Sequence, residues 1–545
     1  MINEDIICII IGILGSVGLL LLTSYSLKMK SSKWRLIFLA PAIVILLITV
    51  LAGKELLMSG VYLGAILLLY GFFFENPTGR RISCVLALIS CLVTIPICVF
   101  GKSYRAPDYL EEFKEGFETM KAHYIMTDYK GIDWDALYAK YEPKFRQVQK
   151  DGDAVENVLC WQEFTAEFYD GHTSYVDNRE DVMKQAEQTA FGNDYGLSLI
   201  RMDSGEYAAV NVEPDSVPAK AGIHNGTVIT AWDGKTPDTY YDQVRCTTIA
   251  FPDKENKEFY LPIYMSGIGG DSMEITYLDE NGETKQVDAP SIGVYADRMR
   301  KTIDIIDQGV VLANLTWEME DEDTALLRIT SMSYDMETYN GTDYSAMQNE
   351  LRAKLYELKE SGVKKLILDL RSNGGGSPYM IMSLCSLIAP EGEYTESYAG
   401  VVDRKTADYV KDEATGTYEI GGKLTYTGED LVPEMDIIVL VNAETISAGD
   451  HMTAMVSDYP NVTTMGFTKS NSSGQAVTGI ELECGSLTFS AIPCMNEDGS
   501  FFIDTGTDHL SKIPLDVIVP MDEDAITTLF DDGEDYLLQY ALEYN

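Results

Sequence analysis

Apolar and polar positions alternate in three different ways along the chain. Four nearly unbroken apolar runs, over about 6–27, 36–51, 56–74 and 82–100, stand at the N-terminus. Each approaches the ~20 residues that cross a bilayer, the second being short. They predict four transmembrane helices in an anchor over 1–105. A cleaved signal peptide accounts only for the first run, which lacks a basic n-region. Lys28, Lys30, Lys33 and Arg35 follow the first run, and Arg80 and Arg81 precede the fourth. Basic loops stay cytoplasmic, so the expected product is a multi-pass cell-membrane protein with its large C-terminal part extracytoplasmic. Lys102 and Arg105 weigh slightly against that orientation.

From 106 to 190 the apolar residues recur at three- and four-residue intervals, as in DYLEEFKEGFETMKAHY, which predicts a helical lead-in domain. Asp133 is a candidate N-cap for a second helix, and a third, over about 154–168, stops at Tyr169-Asp170-Gly171-His172-Thr173. Between 191 and 295 short alternating strands and tight turns (Asn225-Gly226, Asp233-Gly234) predict a β-rich domain ending in the hairpin MEITYLDENGETKQVDA. Residues 246–270 fit no element of it. Over 296–545 apolar strands alternate with helices: TALLRITSM, a helix over 342–360, KKLILDL, a helix over 378–389, DIIVLVN, a helix over 448–458, then VTTMGF and a hairpin. Such runs imply a sheet covered on both faces, an α/β core.

Charge sharpens the division. The 545 residues carry a net charge of −44. Residues 1–105 hold nine basic and four acidic residues, leaving 41 − 9 = 32 basic and 85 − 4 = 81 acidic in the remainder. So acidic a surface repels nucleic acid. It fits a solvated surface first and electrostatic selection of a basic substrate second. Outside the apolar runs lie Cys160, Cys246, Cys385, Cys484 and Cys494, with no CxxC. Cys484 and Cys494 flank a predicted hairpin and are the one candidate disulfide.

The chemistry concentrates at two strand-to-helix corners. VLVNAETISAGD (439–450) runs from a buried strand to Ser447 at the start of a helix, and KLILDLRSNGGG (365–376) ends its strand in three glycines. A serine there is an N-cap or a nucleophile. Glycines strip side chains from the turn and let backbone N–H groups approach an oxyanion. A serine nucleophile needs a base. Of the five histidines, His172 sits in a polar corner after a helix stop. His451 lies one helical turn beyond Ser447, His123 and His224 read as surface or packing residues, and His509 is ambiguous. No histidine pair has a zinc spacing, so no metal is expected.

With DGHTSYV (170–176), YGLSL … PDSVPAKAGIHNGTVITAWDGK (195–235), LILDLRSNGGG (366–376), VLVNAETISAGD (439–450) and MGFTKSNSSGQAV (465–477), the chain from about 107 onward resembles the S41 peptidases, the C-terminal processing and tricorn-like proteases. The resemblance implies a PDZ-like domain at 191–295, a ClpP/crotonase-like protease core at 296–545, and a serine endopeptidase with no cofactor. Its expected substrates are peptide or unfolded protein; the other expected partner, the lipid bilayer, follows from the four N-terminal apolar runs, which lie outside the resemblance. Ser447 falls at the family's nucleophile, and Gly375 and Gly374 with Ala448 at its oxyanion hole. One branch uses a lysine base; here the expected position falls near Ser472 and Lys469 lies three residues early. The tricorn-like branch uses a histidine, which His172 matches, with Asp508, or next Asp504, as the orienting acid. Tyr195, Gly196 and Leu197 fall on the PDZ peptide-binding loop, which in this chain either binds a peptide terminus or only gates entry. The alternatives are a Ser447–Lys469 dyad and an inactive peptide-binding protein of the same fold.

Overall fold

Three aspartates start the lead-in. Asp108, Asp133 and Asp153 each accept a backbone N–H from the first turn of the helix that follows, satisfying a donor that has no intrahelical partner. The computed structural model describes residues 107–308, 315–333, 343–406, 408–412 and 415–544. Helices α1 (Tyr109–His123), α2 (Trp134–Asp151) and α3 (Ala154–Ala166) turn their periodic apolar faces inward. Phe113 stacks on Phe145 with ring centroids 4.2 Å apart and meets Phe164 edge-on. After the Asp170–Thr173 corner come β1 (Ser174–Asp177) and α4 (Glu180–Phe191).

Strands β2 (Ser198–Arg201), β3 (Tyr207–Val210), β4 (Val228–Trp232), β5 (Ser272–Leu278) and β6 (Thr284–Pro290) form a five-stranded antiparallel sheet in chain order. The segment left unassigned by its sequence contains helix α5 (Lys254–Met265), capped by Asp253, which accepts the N–H groups of Glu255 and Asn256. Helix α6 (Ala296–Asp307) follows.

The core comprises β7 (Leu315–Met319), β8 (Thr324–Ile329), α7 (Ser345–Glu360), β9 (Lys365–Asp369), α8 (Pro378–Ile388), β10 (Gly392–Gly400), β11 (Ile420–Gly428), β12 (Asp436–Leu440), α9 (Ala448–Val456), β13 (Val462–Gly466), β14 (Ala476–Glu481), β15 (Gly485–Ile492), β16 (Val517–Ile518) and α10 (Tyr536–Glu543). One sheet runs β16-β13-β12-β9-β8-β7, parallel throughout except for β7. The two-residue period of its strands sends neighbours to opposite cores. Leu366, Leu368, Ile437 and Val439 join the side chains of α7, α8 and α9, whereas Ile367, Ile438 and Leu440 join the cluster containing Leu537 and Ala541 of α10. In a second sheet, β1-β15-β14, the lead-in donates its only long-range strand to the core, with Ser174 opposite Thr488. That pairing fixes the DGH corner to the α/β core.

No helix of the described residues is long and apolar enough to cross a membrane. This corrects the expected fold class, whose four spanning helices over 1–105 lie outside the described residues. The bilayer contact expected of them has no support in the described fold. The longest helices described are amphipathic: α2 alternates buried Leu137, Tyr141 and Phe145 with charged residues. The suggested disulfide is corrected too. Cys484 and Cys494 are both free and stand at opposite ends of β15 rather than across a hairpin. At about 3.3 Å per residue along a strand they are far too distant to bond.

The end of β9 is held by charge. The Arg371 side chain is 2% exposed and makes paired hydrogen bonds to Asp369 (2.9 and 2.8 Å) and to Asp535 (2.8 and 2.6 Å), the N-cap of α10. Arg328 adds a second contact to Asp369 at 2.8 Å. Removing one member of such a buried set leaves uncompensated charge behind. Arg371→Leu is expected to lower unfolding stability by about 3–5 kcal/mol in urea titration; a loss below about 1 kcal/mol contradicts this role for the ion pairs.

Candidate active site

Strands β9 and β12 are parallel neighbours, with Asp369 opposite Leu440, so their C-terminal corners lie side by side, where open α/β sheets bind ligands. The corners are stitched together. Asn373 O accepts the Ile446 N–H at 2.9 Å, Asn442 Oδ1 accepts the Ser372 N–H at 2.8 Å, and the Thr445 hydroxyl donates to Leu370 O at 2.8 Å. The approach is close enough to require glycine. A Cβ on Gly375, which has φ +81°, would lie 2.6 Å from the Ser447 Cβ.

Ser447 itself has φ 60° and ψ −119°, outside the regions a serine ordinarily occupies. Such a conformation costs on the order of 1–3 kcal/mol and persists only where its surroundings enforce it. Asp450, fully buried one turn into α9, enforces it: its carboxylate accepts the N–H groups of Ser447 (3.1 Å), Ser472 (2.8 Å) and Ser473 (2.9 Å). Burial pushes this carboxyl up to about 7 against the pull of those donors.

The same loop receives the DGH corner. Gly171 donates its N–H to Ser473 Oγ at 2.9 Å, and a Cβ on Gly171 would fall 2.0 Å from Asn471 Oδ1. Asp170 accepts the N–H of His172 (3.0 Å) and the hydroxyl of Thr173 (2.9 Å). His172 Nδ1 is buried with no hydrogen-bond partner. Burial, outweighing Asp170, holds His172 below the ordinary imidazole value of 6.5, and the nearby His451 acts in the same direction. The DGH corner that carries this imidazole is thus tied to the 471–475 loop through Gly171.

Residues 323–509, which include both corners, match the model of peptidase family S41, and residues 105–156 match that of the Tricorn protease C1 domain. A carboxy-terminal-processing protease of Bartonella bacilliformis is 23% identical over 353 residues, an alignment spanning 64% of this chain and 66% of that protein, slightly under two thirds of its length. Among solved structures, mature CPAF complexed with lactacystin aligns with TM-score 0.52 at 14% identity, covering 80% of this chain and 97% of that one. Mature CPAF alone gives TM-score 0.52 at 15% identity, covering 80% and 96%. Residues 323–509 are thus similar to peptidase family S41.

Around the Ser447 corner the other candidates separate. His451 is spoken for: Nδ1 bonds Glu396 and Nε2 lies 2.8 Å from Gly474 O. Burial alone would lower its pKa, but Glu396 and the Gly474 carbonyl together raise it, while the same contact holds Glu396 below the usual carboxylate range against its own burial. Lys469 points to α5, with Nζ 2.7 Å from Glu255 and 3.8 Å from Asp253. Asp508 is exposed; its carboxylate accepts the Leu510 N–H at 3.3 Å and its backbone carbonyl accepts from Lys254 Nζ at 3.4 Å. Asp504 is the buried acid of this tail: it accepts from Gln475 Nε2 (2.6 Å) and the Gly474 N–H (3.1 Å), and burial pushes it up to about 6. Of the oxyanion candidates, Ala448 opens α9, where N–H groups lack intrahelical acceptors. The Gly375 N–H donates to Asn373 Oδ1 at 3.0 Å and that of Gly374 to Thr330 O at 3.3 Å. Tyr195, Gly196 and Leu197 do not line an open groove. Tyr195 and Leu197 are fully buried, and the Gly196 N–H is held by Asp194 at 2.8 Å.

Asp450, Asn373 and Asn471 had no role in the sequence reading. Ser447-Ala-Gly-Asp450 has the S-x-x-D spacing of a capping box, which signals the first of them; nothing local signals the asparagines.

Two outcomes follow from this geometry. Gly375→Ala, which sets a Cβ against Ser447, is expected to reduce fluorophosphonate labelling by at least about 100-fold. Gly374→Ala, with nothing within 4 Å of its Cβ, is expected to retain labelling; equal effects contradict the packing described. For the His451–Glu396 pair, His451 is raised above 6.5, so its share of stability is complete below that pH and lost as pH rises through the raised value. Glu396 is lowered below 4.5, so its share is complete above that pH and lost as pH falls. Stability from the pair is therefore full between 4.5 and 6.5. In Glu396→Gln burial dominates, and histidine NMR is expected to show His451 titrating below 6.5; an unchanged titration contradicts the pairing.

Proposed function

We propose that the protein is a serine endopeptidase of the C-terminal processing type, cleaving peptides or unfolded protein segments through an acyl-enzyme with Ser447 as nucleophile and His172 as general base. The observation that carries this is Ser447 held at positive φ against Gly375, in a corner whose loop takes the N–H of Gly171, next to a half-buried His172 held below the ordinary imidazole value. The Gln475 carbonyl lies against the His172 ring. A proton on Nε2 toward that carbonyl leaves the Nδ1 lone pair to accept the Ser447 proton. Oγ then bonds the scissile carbonyl carbon, and the oxygen gathers charge beside the Ala448 N–H and the glycine turn. The imidazolium returns its proton to the leaving amine, and water repeats the sequence to release the acid. Asp170 favours the imidazolium directly, and Asp504 holds the Gln475 side chain. The 191–295 domain, PDZ-like on this reading, packs against the protease rather than capturing a peptide terminus, since its expected loop is closed by Asp194.

One observation favours a second reading, an inert peptide-binding protein of the same fold: the Gly375 N–H is already taken by Asn373. A fluorophosphonate probe separates the two. The wild type is expected to label and Ser447→Ala is not; no labelling of either supports the inert protein. His172→Ala is expected to slow cleavage of an unstructured peptide by about 10²–10⁴-fold, whereas Lys469→Ala changes it by no more than about twofold, the effect of losing one partly exposed ion pair. Loss confined to Lys469→Ala contradicts the histidine assignment.

A further inference from the structure

Beside the Ser447 corner a cavity of about 640 Å³ opens between α3, β1, segment 246–250 and the core. Its wall includes Ile446, Gly374 and Gly171, the immediate neighbours of Ser447, Gly375 and His172, and β1 lines it with Ser174, Tyr175 and Val176. A cavity of this size takes a large side chain. Three charged residues line it: Glu187, Arg300 and Glu444. Arg300 is satisfied, paired with Glu187 and reaching Asp297 at 3.6 Å. Glu444 has no ion pair among the described residues. Its side chain is bonded to Ser372, and burial and then Asp304 disfavour its charge. A carboxylate withdrawn from water without a counter-charge is unfavourable, and a cation entering the cavity relieves it.

We infer that Glu444 makes this cavity a subsite for a basic side chain, so that the enzyme selects peptides carrying lysine or arginine beside the scissile bond. The inference rests on the proteolytic reading of the same corner. It assigns the basic preference to one carboxylate three residues from the nucleophile, not to the acidity of the surface at large.

The test uses the full chain and peptides that differ only by lysine or norleucine, placed in turn at each residue flanking the cut. The wild type is expected to prefer lysine by about tenfold in kcat/KM at one of these positions, the size of a single partly buried charge contact. In Glu444→Gln that ratio is expected to fall to about one. A ratio that survives in Glu444→Gln, or a wild type indifferent to lysine, overturns the inference. Binding to Ser447→Ala by fluorescence anisotropy decides independently of turnover. A lysine preference there that disappears in Ser447→Ala/Glu444→Gln supports the subsite even if the wild type cuts neither peptide, which would instead contradict proteolysis. Equal affinity for the two peptides in Ser447→Ala overturns it.

Discussion

One carboxylate holds the candidate site together. Asp450 collects backbone N–H groups from the serine elbow and from Ser472 and Ser473, and the loop carrying those serines takes the N–H of Gly171. The strained Ser447 backbone and the histidine corner, far apart in sequence, are therefore coupled through a single buried side chain. Leaving three donors unpaired in a buried loop would be expensive. The strain at Ser447 and the position of His172 are thus two consequences of one interaction.

The supporting frame has the same logic on a larger scale. The parallel sheet brings two corners to one edge, the Arg371 ion pairs pin the first to the C-terminal helix, and β1 pins the lead-in to β15. Gly375 and Gly171 are needed where these separately anchored pieces meet, because in both places another residue occupies the room a side chain would take. Asn373 is less expected. It joins the two corners through its carbonyl and also occupies the Gly375 N–H, so an incoming oxyanion must displace its side chain to use that donor.

What the sequence makes legible is what local patterning encodes. Apolar strand, polar corner and helix start are visible in LILDLRSNGGG and VLVNAETISAGD, and Asp133 does cap its helix. The parts that depend on folding across hundreds of residues are less visible. Whether Asp504 or Asp508 turns inward depends on Gln475 and Gly474, and nothing in the local turn tells the two apart. Lys469 looks available as a base until α5, from the stretch that fitted no predicted element, supplies Glu255 and Asp253 to hold it. The loop at Tyr195, Gly196 and Leu197, expected from the sequence to meet a peptide, has its Gly196 N–H held by Asp194 two residues away. The N-terminal apolar runs lie outside the described residues, among which no helix is long and apolar enough to cross a membrane.

The central claim is that Ser447, braced by Asp450, attacks a carbonyl whose oxygen settles between the Ala448 N–H and a Gly375 N–H released by Asn373. A crystal structure of the protein after reaction with a fluorophosphonate tests it directly. The account predicts a phosphonyl group on Ser447 Oγ, its oxygen within about 3 Å of both nitrogens, and His172 Nδ1 facing the adduct. An adduct on another residue, or a phosphonyl oxygen turned away while Asn373 still holds Gly375, would contradict it.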